Sequence, residues 1–155
     1  MCRVRCSCVY GCYCGDIPRS LLVSATKRTL KHACLLVLGF DLGRIHGSVH
    51  TRAFNHLLGT QKSGSLSIDV SDWHEYEIVW NADQIDFVLD GLKYFEFTRA
   101  ADATFVEWPF DRDFHMILNV AVGGTWGGLQ GVDSAAFEGG GQIMEVDWVR
   151  VYRDS

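Results

Sequence analysis

The chain has 155 residues, 48 % of them hydrophobic and only two of them proline, so it can form one domain with a packed core and lacks the composition of a disordered protein. Residues 1–44 hold seven Lys/Arg and two Asp, a formal +5, whereas residues 45–155 hold seven Lys/Arg and seventeen Asp/Glu, a formal −10. An acidic body is a poor partner for nucleic acids and anionic membranes. We therefore expect neither of these partners.

The first 38 residues differ in composition from the rest. They contain all six cysteines, namely Cys2, Cys6, Cys8, Cys12, Cys14 and Cys34. The segment could be a disulfide knot or a metal-binding tract, although it has no repeated CxxC pair. The break in charge and cysteine content near residue 39 instead favours a basic leader, residues 1–38, that is unrelated to the fold that follows. The apolar run at 33–40 is too short and too far into the chain for a signal peptide.

From residue 46 onward the pattern is one of strands and turns. Residues 73–80 (WHEYEIVW) alternate between apolar side chains and the acids Glu75 and Glu77, which predicts a half-buried strand with both glutamates facing solvent. Residues 81–84 (NADQ) predict a turn. After the next alternating run, Asp90-Gly91 is a strong signal for a two-residue hairpin.

The later segments complete an all-β pattern. Residues 116–122 (MILNVAV) are apolar except for Asn119, as expected of a central strand covered on both sides, and residues 144–152 (MEVDWVRVY) alternate again. Only residues 98–104 could tolerate a helical turn. Several short strands without helical periods predict a two-sheet sandwich. Four tryptophans are predicted to lie in its core: Trp73, Trp80, Trp108 and Trp148.

The amino-acid sequences of three segments indicate a protein family. GRIHGSVHTRAFNHLLGTQKSG at 43–64, FHMILNVAVGGTWGG at 114–128 and the closing MEVDWVRVY resemble the second half of family 16 glycoside hydrolases of the laminarinase (endo-β-1,3-glucanase) type. The resemblance covers residues 39–155. It implies a concanavalin-like β-jelly-roll sandwich that is incomplete, with the N-terminal half missing. It also implies a β-glucan polysaccharide as partner, retaining hydrolysis, no required cofactor, and secretion of a complete family member.

The acids that this family uses are missing. Similar enzymes carry E-x-D-x-x-E on a groove strand just before the HGSVHT segment, because a retaining glycosidase needs two carboxyl groups about 5 Å apart. Residues 30–38 (LKHACLLVL) occupy that place without a carboxylate, and the first glutamate of the chain is Glu75. We predict that no residue of this chain is catalytic and that it is inactive as written. The alternatives are a non-catalytic β-glucan-binding module, or a chain that is unstable because half a sandwich exposes strand edges.

Three residues are candidates for substrate binding. The counterpart of His50 in similar enzymes borders the glutamate pair, so it could donate to a sugar hydroxyl, or else be a structural histidine. Asn119 either reads a sugar hydroxyl or fixes a neighbouring loop. Trp126, between glycines, suits a platform on which a sugar ring stacks, and otherwise is a core tryptophan at a bend.

One residue is a candidate metal ligand. Asp147 matches a position that supplies a structural calcium ligand in related enzymes, where backbone carbonyls from the N-terminal half complete the site. Those carbonyls are expected to be absent here, so the alternative is an aspartate that faces solvent on a strand.

Overall fold

The computed structural model describes residues 2–10, 19–24, 32–38, 41–69, 72–120, 122–123, 128–132, 134–140 and 143–153. The strands, in chain order, are β1 (Cys2–Tyr10), β2 (Arg19–Ser24), β3 (His32–Leu38), β4 (Asp41–His50), β5 (Lys62–Ser67), β6 (His74–Trp80), β7 (Gln84–Leu89), β8 (Leu92–Thr98), β9 (His115–Val120) and β10 (Met144–Arg153). Two short 3-10 helices are His56–Leu58 and Ser134–Gly140. In the described ranges, no helix has the length and hydropathy needed to cross a membrane.

The strands form two five-stranded sheets. The first, called the β4 sheet, has the order β5-β4-β3-β2-β9, and the second, called the β6 sheet, has the order β10-β1-β6-β7-β8. All neighbouring strands are antiparallel. Buried side chains from both sheets pack against each other in one hydrophobic core. The prediction of an all-β, two-sheet sandwich is confirmed.

The hairpin predicted from Asp90-Gly91 joins β7 and β8. Asp90 and Gly91 have φ values of 48° and 81°, the left-handed conformations that a type I′ turn requires at both central positions. The turn predicted at 81–84 also forms, because the side-chain oxygen of Asn81 accepts hydrogen bonds from the backbone N–H groups of Asp83 and Gln84 at 2.8 and 2.9 Å.

Two glycines allow the sheets to approach closely. A Cβ at Gly47 of β4 would lie 2.9 Å from Cδ1 of Phe87, and one at Gly64 of β5 would lie 2.7 Å from Cβ of Phe95. Both phenylalanines belong to the β6 sheet. These contacts identify the side of β4 and β5 that faces the core, and therefore also the side that faces away from it.

The aromatic core lies near the end of β8. Phe97 stacks on Trp108 with ring centroids 5.3 Å apart, and Phe110 packs against both rings. Trp108, at 2 % exposure, is in the core as predicted, whereas Trp73 is 51 % exposed. The prediction for Trp73 is wrong because this residue lies just before β6, outside the alternating part of that strand.

The prediction that Glu77 faces solvent is also wrong. Its side chain is only 4 % exposed, although Glu75, two residues earlier, is partly exposed. The reason is the place of β6 in the middle of its sheet. The backbone register gives Glu77 a neighbouring strand on each side, β1 and β7.

The structure differs from the expectation that residues 1–38 lie outside the fold. The backbone of β1 pairs with β10 and β6, β2 pairs with β3 and β9, and β3 pairs with β4. Alternating or continuous apolar segments of six to nine residues suffice for such pairing, since the ladder depends on backbone groups. The separate prediction that this segment has an origin unrelated to residues 39–155 stays a prediction.

Candidate functional site

The outer face of β4 carries three polar side chains in alternating positions. Ile45 and Val49 have no exposed surface and, like Gly47, face the β6 sheet. Successive side chains of a strand point to opposite sides, so three residues lie on the face directed away from the core. These are His46, Ser48 and His50.

The loop that follows β4 is built around a buried amide. Asn55 is 5 % exposed, and its Nδ2 donates to the carbonyl oxygens of Thr51 and Arg52 at 3.3 and 3.2 Å. Its Oδ1 accepts from the N–H of Leu58 at 3.2 Å, which caps the short helix His56–Leu58. Gly59 ends that helix in the left-handed conformation, with φ 65°. Hydrogen bonds of Asn55 within the loop therefore fix the conformation of the loop.

This loop brings His56 against His50. The two imidazole rings meet edge to face with centroids 5.5 Å apart, and His50 is 8 % exposed while His56 is exposed. Burial, together with the charge of His56, lowers the pKa of His50. The ring of His50 is therefore neutral near pH 7 and offers one N–H donor and one acceptor nitrogen.

A second histidine on the same face has an acidic partner. Nε2 of His46 lies 2.9 Å from Oδ2 of Asp41, at the start of the same strand, and Arg44 approaches that carboxylate at 4.0 Å. A carboxylate, that of Asp41, therefore lies at the start of β4, and the buried imidazole of His50 lies at its end.

The strand next to β4 contains no acid. β3, His32–Leu38, reads HACLLVL and pairs with β4 from the His32–His50 position to the Leu38–Asp41 position. The E-x-D-x-x-E expected just before the HGSVHT segment is therefore not present on the adjoining strand. Asp41 alone does not supply the two carboxyl groups of a retaining mechanism.

The first two glutamates of the chain lie in the other sheet. Glu75 and Glu77 belong to β6, whose partners are β1 and β7, and the core of the sandwich separates them from the outer face of β4. They cannot act on a molecule bound to the outer face of the β4 sheet.

The other predicted site residues are placed only in part. The backbone of Asn119 lies in β9, opposite Ser20 of β2, and its side chain lies outside the described part of the structure. Trp126 also lies outside the described residues. The roles assigned to His50, Asn119 and Trp126 therefore stay predictions.

Asp147 lies in β10, the strand at one edge of the β6 sheet, and is exposed. It falls where the pairing of β1 and β10 shifts register between Ser7 and Cys8. Calcium takes six to eight oxygen ligands, and within the described ranges no three His, Cys, Asp or Glu side chains converge. Backbone carbonyls were expected to complete the site, so the role of Asp147 as a calcium ligand stays a prediction.

Two features of this face escaped the sequence analysis. The contact between His46 and Asp41 spans five positions of one strand, a spacing that no simple strand period indicates. The loop did carry a readable signal, since an asparagine followed four residues later by glycine is a common pair of helix caps, here Asn55 and Gly59. The approach of His56 to His50 had no signal in the sequence.

Comparison with protein families gives one clear match. The model of the glycosyl hydrolases family 16 matches residues 36–150. A beta-glucanase of Rhodothermus marinus is 46 % identical over 122 residues, which cover 75 % of this chain and 42 % of that protein. The chain thus spans less than half the length of this relative.

Solved structures give the same result for the fold. The laminarinase of Rhodothermus marinus superposes with a TM-score of 0.86 and 36 % identity over 98 % of this chain and 65 % of that one. A mutant of a non-specific endo-beta-1,3(4)-glucanase of the same family, co-crystallised with 1,3-beta-D-cellotriosyl-glucose, presents a 1,3-beta-D-cellobiosyl-glucose at its active site. It superposes with a TM-score of 0.88 and 34 % identity over 99 % of this chain and 60 % of that one. The prediction of a jelly-roll sandwich that covers only part of such a domain is confirmed.

Proposed function

Since this chain belongs to the family 16 glycosyl hydrolases, we propose that it is a laminarinase-like domain for β-1,3-glucan that lacks the acids needed for cleavage. The polysaccharide would lie along the outer face of the β4 sheet, where His46, Ser48 and His50 are aligned on one strand. The relatives named above are glucanases, which supports β-glucan as the substrate class.

One observation carries the proposal that the chain does not cleave glucan. β3, the neighbour of β4, has the sequence HACLLVL, without any acid. A retaining glycosidase needs one carboxylate as nucleophile and one carboxyl group as acid and base. Without them the enzyme loses most of the acceleration that glycosidases achieve, a lowering of the barrier by about 8 kcal/mol or more.

The test is a hydrolysis assay on the purified 155-residue chain. We expect no reducing sugar to be released from laminarin above the rate of a heat-denatured sample. The matched variants are Glu75→Gln and Glu77→Gln. They should behave like the unaltered chain because the core separates β6 from the outer face of the β4 sheet. Turnover that disappears in either variant would overturn the inference that only acids on β3, the strand beside β4, could cleave the glucan.

The second candidate function is a non-catalytic β-glucan-binding module. It is favoured by the neutral, nearly buried imidazole of His50 on the outer face of β4, which can both donate to and accept from sugar hydroxyls. Electrophoresis of the folded chain through gels containing laminarin tests it. Retarded migration supports the module, and migration equal to that in gels without laminarin rules it out.

A further inference from the structure

A cavity of about 320 Å³ opens at one edge of the sandwich, near the start of β5 and the end of β8. Its aromatic wall contains Phe54, Phe97 and Trp108. The rings of Phe54 and Phe97 meet edge to face with centroids 5.8 Å apart, and Phe97 stacks on Trp108. Four charged residues also line it: Lys62, Arg99, Asp102 and Glu107.

This cavity is separate from the outer face of the β4 sheet. Lys62 shares one side of β5 with Gly64 and Leu66, and that side is directed toward the β6 sheet, since Gly64 meets Phe95 and Leu66 packs on the core. The cavity therefore lies on the inner side of β5, whereas His50 lies on the outer side of β4.

The charged groups of the cavity are not paired with one another. Oε2 of Glu107 accepts from the N–H of Thr104 at 3.0 Å and from the hydroxyl of the same residue. The ammonium group of Lys62 lies 5.0 Å from the ring centroid of Phe54. Among the described residues, neither Lys62 nor Arg99 has a carboxylate oxygen within 4.0 Å. Both cations can therefore donate to a ligand.

We propose that this cavity is a second carbohydrate-binding site, which takes one or two sugar units from the end of a glucan or from a short oligosaccharide. The inference rests on the proposed function. Its volume is near the lower end of the range of about 300–1,000 Å³ that is usual for small-molecule pockets, so a long segment of polymer does not fit.

The lining suits a neutral sugar. The apolar C–H face of a pyranose packs on a phenylalanine ring, here Phe54 or Phe97. Its hydroxyl groups both donate and accept, so they can use the Lys62 and Arg99 donors and the Asp102 acceptor together. A lining with two cations and two carboxylates does not select an anion or a cation, which again favours a neutral, hydroxyl-rich ligand.

Titration of the full chain with laminaribiose tests the proposal. We expect saturable changes in the amide chemical shifts of residues 98–104, and an affinity about tenfold lower in Arg99→Ala, as for the loss of a hydrogen bond to a charged group. The matched control is Arg112→Ala, since Arg112 is an exposed arginine beside Phe105 and outside the cavity. Arg99 and Arg112 are both exposed, so the fold should survive either change.

Absence of saturable shifts at residues 98–104, or equal affinity of the Arg99→Ala and Arg112→Ala variants, overturns the second site. The failure of the proposed function has a different signature. In that case the chain with Arg99→Ala shows no retardation in laminarin gels, although the unaltered chain still binds laminaribiose at residues 98–104. Retardation that persists in Arg99→Ala, together with saturable shifts at residues 98–104 in the unaltered chain, supports both sites as separate.

Discussion

The outer faces of the two sheets differ in how their polar side chains are held. On the β4 sheet, His50 is buried although it points away from the core, because the loop after β4 turns back and places His56 against it. On the β6 sheet, Lys93 and Glu96 are exposed and paired with each other. The β6 sheet also buries one outer polar group, Glu77, so the two faces differ in the loop that packs an imidazole against His50 and not in burial alone. A polar group that a loop holds on an outer face, at a cost in desolvation, is suited to binding a ligand.

The largest expected effect on stability comes from the loop that covers His50. In Asn55→Ala the carbonyls of Thr51 and Arg52 lose the amide that donates to them, and the N–H of Leu58 keeps only the backbone carbonyl of residue 55, which should lower the free energy of unfolding by about 2 kcal/mol. Urea denaturation measures it. The control is Leu57→Ala, at 74 % exposure on the same loop, which should change stability by less than about 0.5 kcal/mol. Equal midpoints for both variants would contradict a loop built around Asn55.

The next effect concerns binding. His50→Ala should weaken retention in laminarin gels by about tenfold, because it removes a neutral donor and acceptor from the outer face of β4. The matched control is His74→Ala, on the β6 sheet, where the imidazole is held by Asp90 and by the carbonyl of Asp69. If both variants migrate alike, the distinction between the two faces fails.

The sequence predicted the features that depend on local signals and missed those that depend on long-range strand pairing. β6, β7 and β8 were predictable because period two and the pair Asp90-Gly91 are local signals, which need no knowledge of the neighbouring strands. The burial of Glu77 was not predictable, since it depends on β6 having a partner on each side. The pairing of β1, β2 and β3 with the rest was missed for a similar reason: composition describes a segment, whereas strand pairing is a long-range property.

The contributions of His74 and His50 to stability should change with pH in opposite directions. Burial alone would lower the pKa of His74, but hydrogen bonds to Asp69 and Asp90, with the charges of Asp90 and Asp72, raise it. Its contribution to stability is then complete below about pH 6.5 and is lost as the pH rises through the higher folded pKa. The pKa of His50 is lowered, so its contribution is complete above about pH 6.5 and is lost as the pH falls toward the folded pKa.

Midpoints of urea denaturation, measured between pH 5 and 8, separate the contributions of these two histidines. The difference between the unaltered chain and His74→Asn should shrink as the pH rises, and the difference for His50→Asn should grow. Parallel curves for both variants would show that the environments of the two imidazoles do not differ in the stated way.

The smallest effect is expected for the exposed pair on the β6 sheet. The hydrogen bond to Glu96 raises the pKa of Lys93, and the same bond lowers the pKa of Glu96. Both side chains are exposed to solvent, where salt at physiological strength screens charges beyond about 8 Å and an isolated pair contributes little. Lys93→Ala should therefore leave the urea midpoint unchanged within error in moderate salt, with at most a slight decrease at low salt. A decrease as large as that of Asn55→Ala, in moderate salt, would mean that the stability of the β6 sheet also depends on its exposed polar groups, and the two outer faces would no longer differ in how their polar side chains are held.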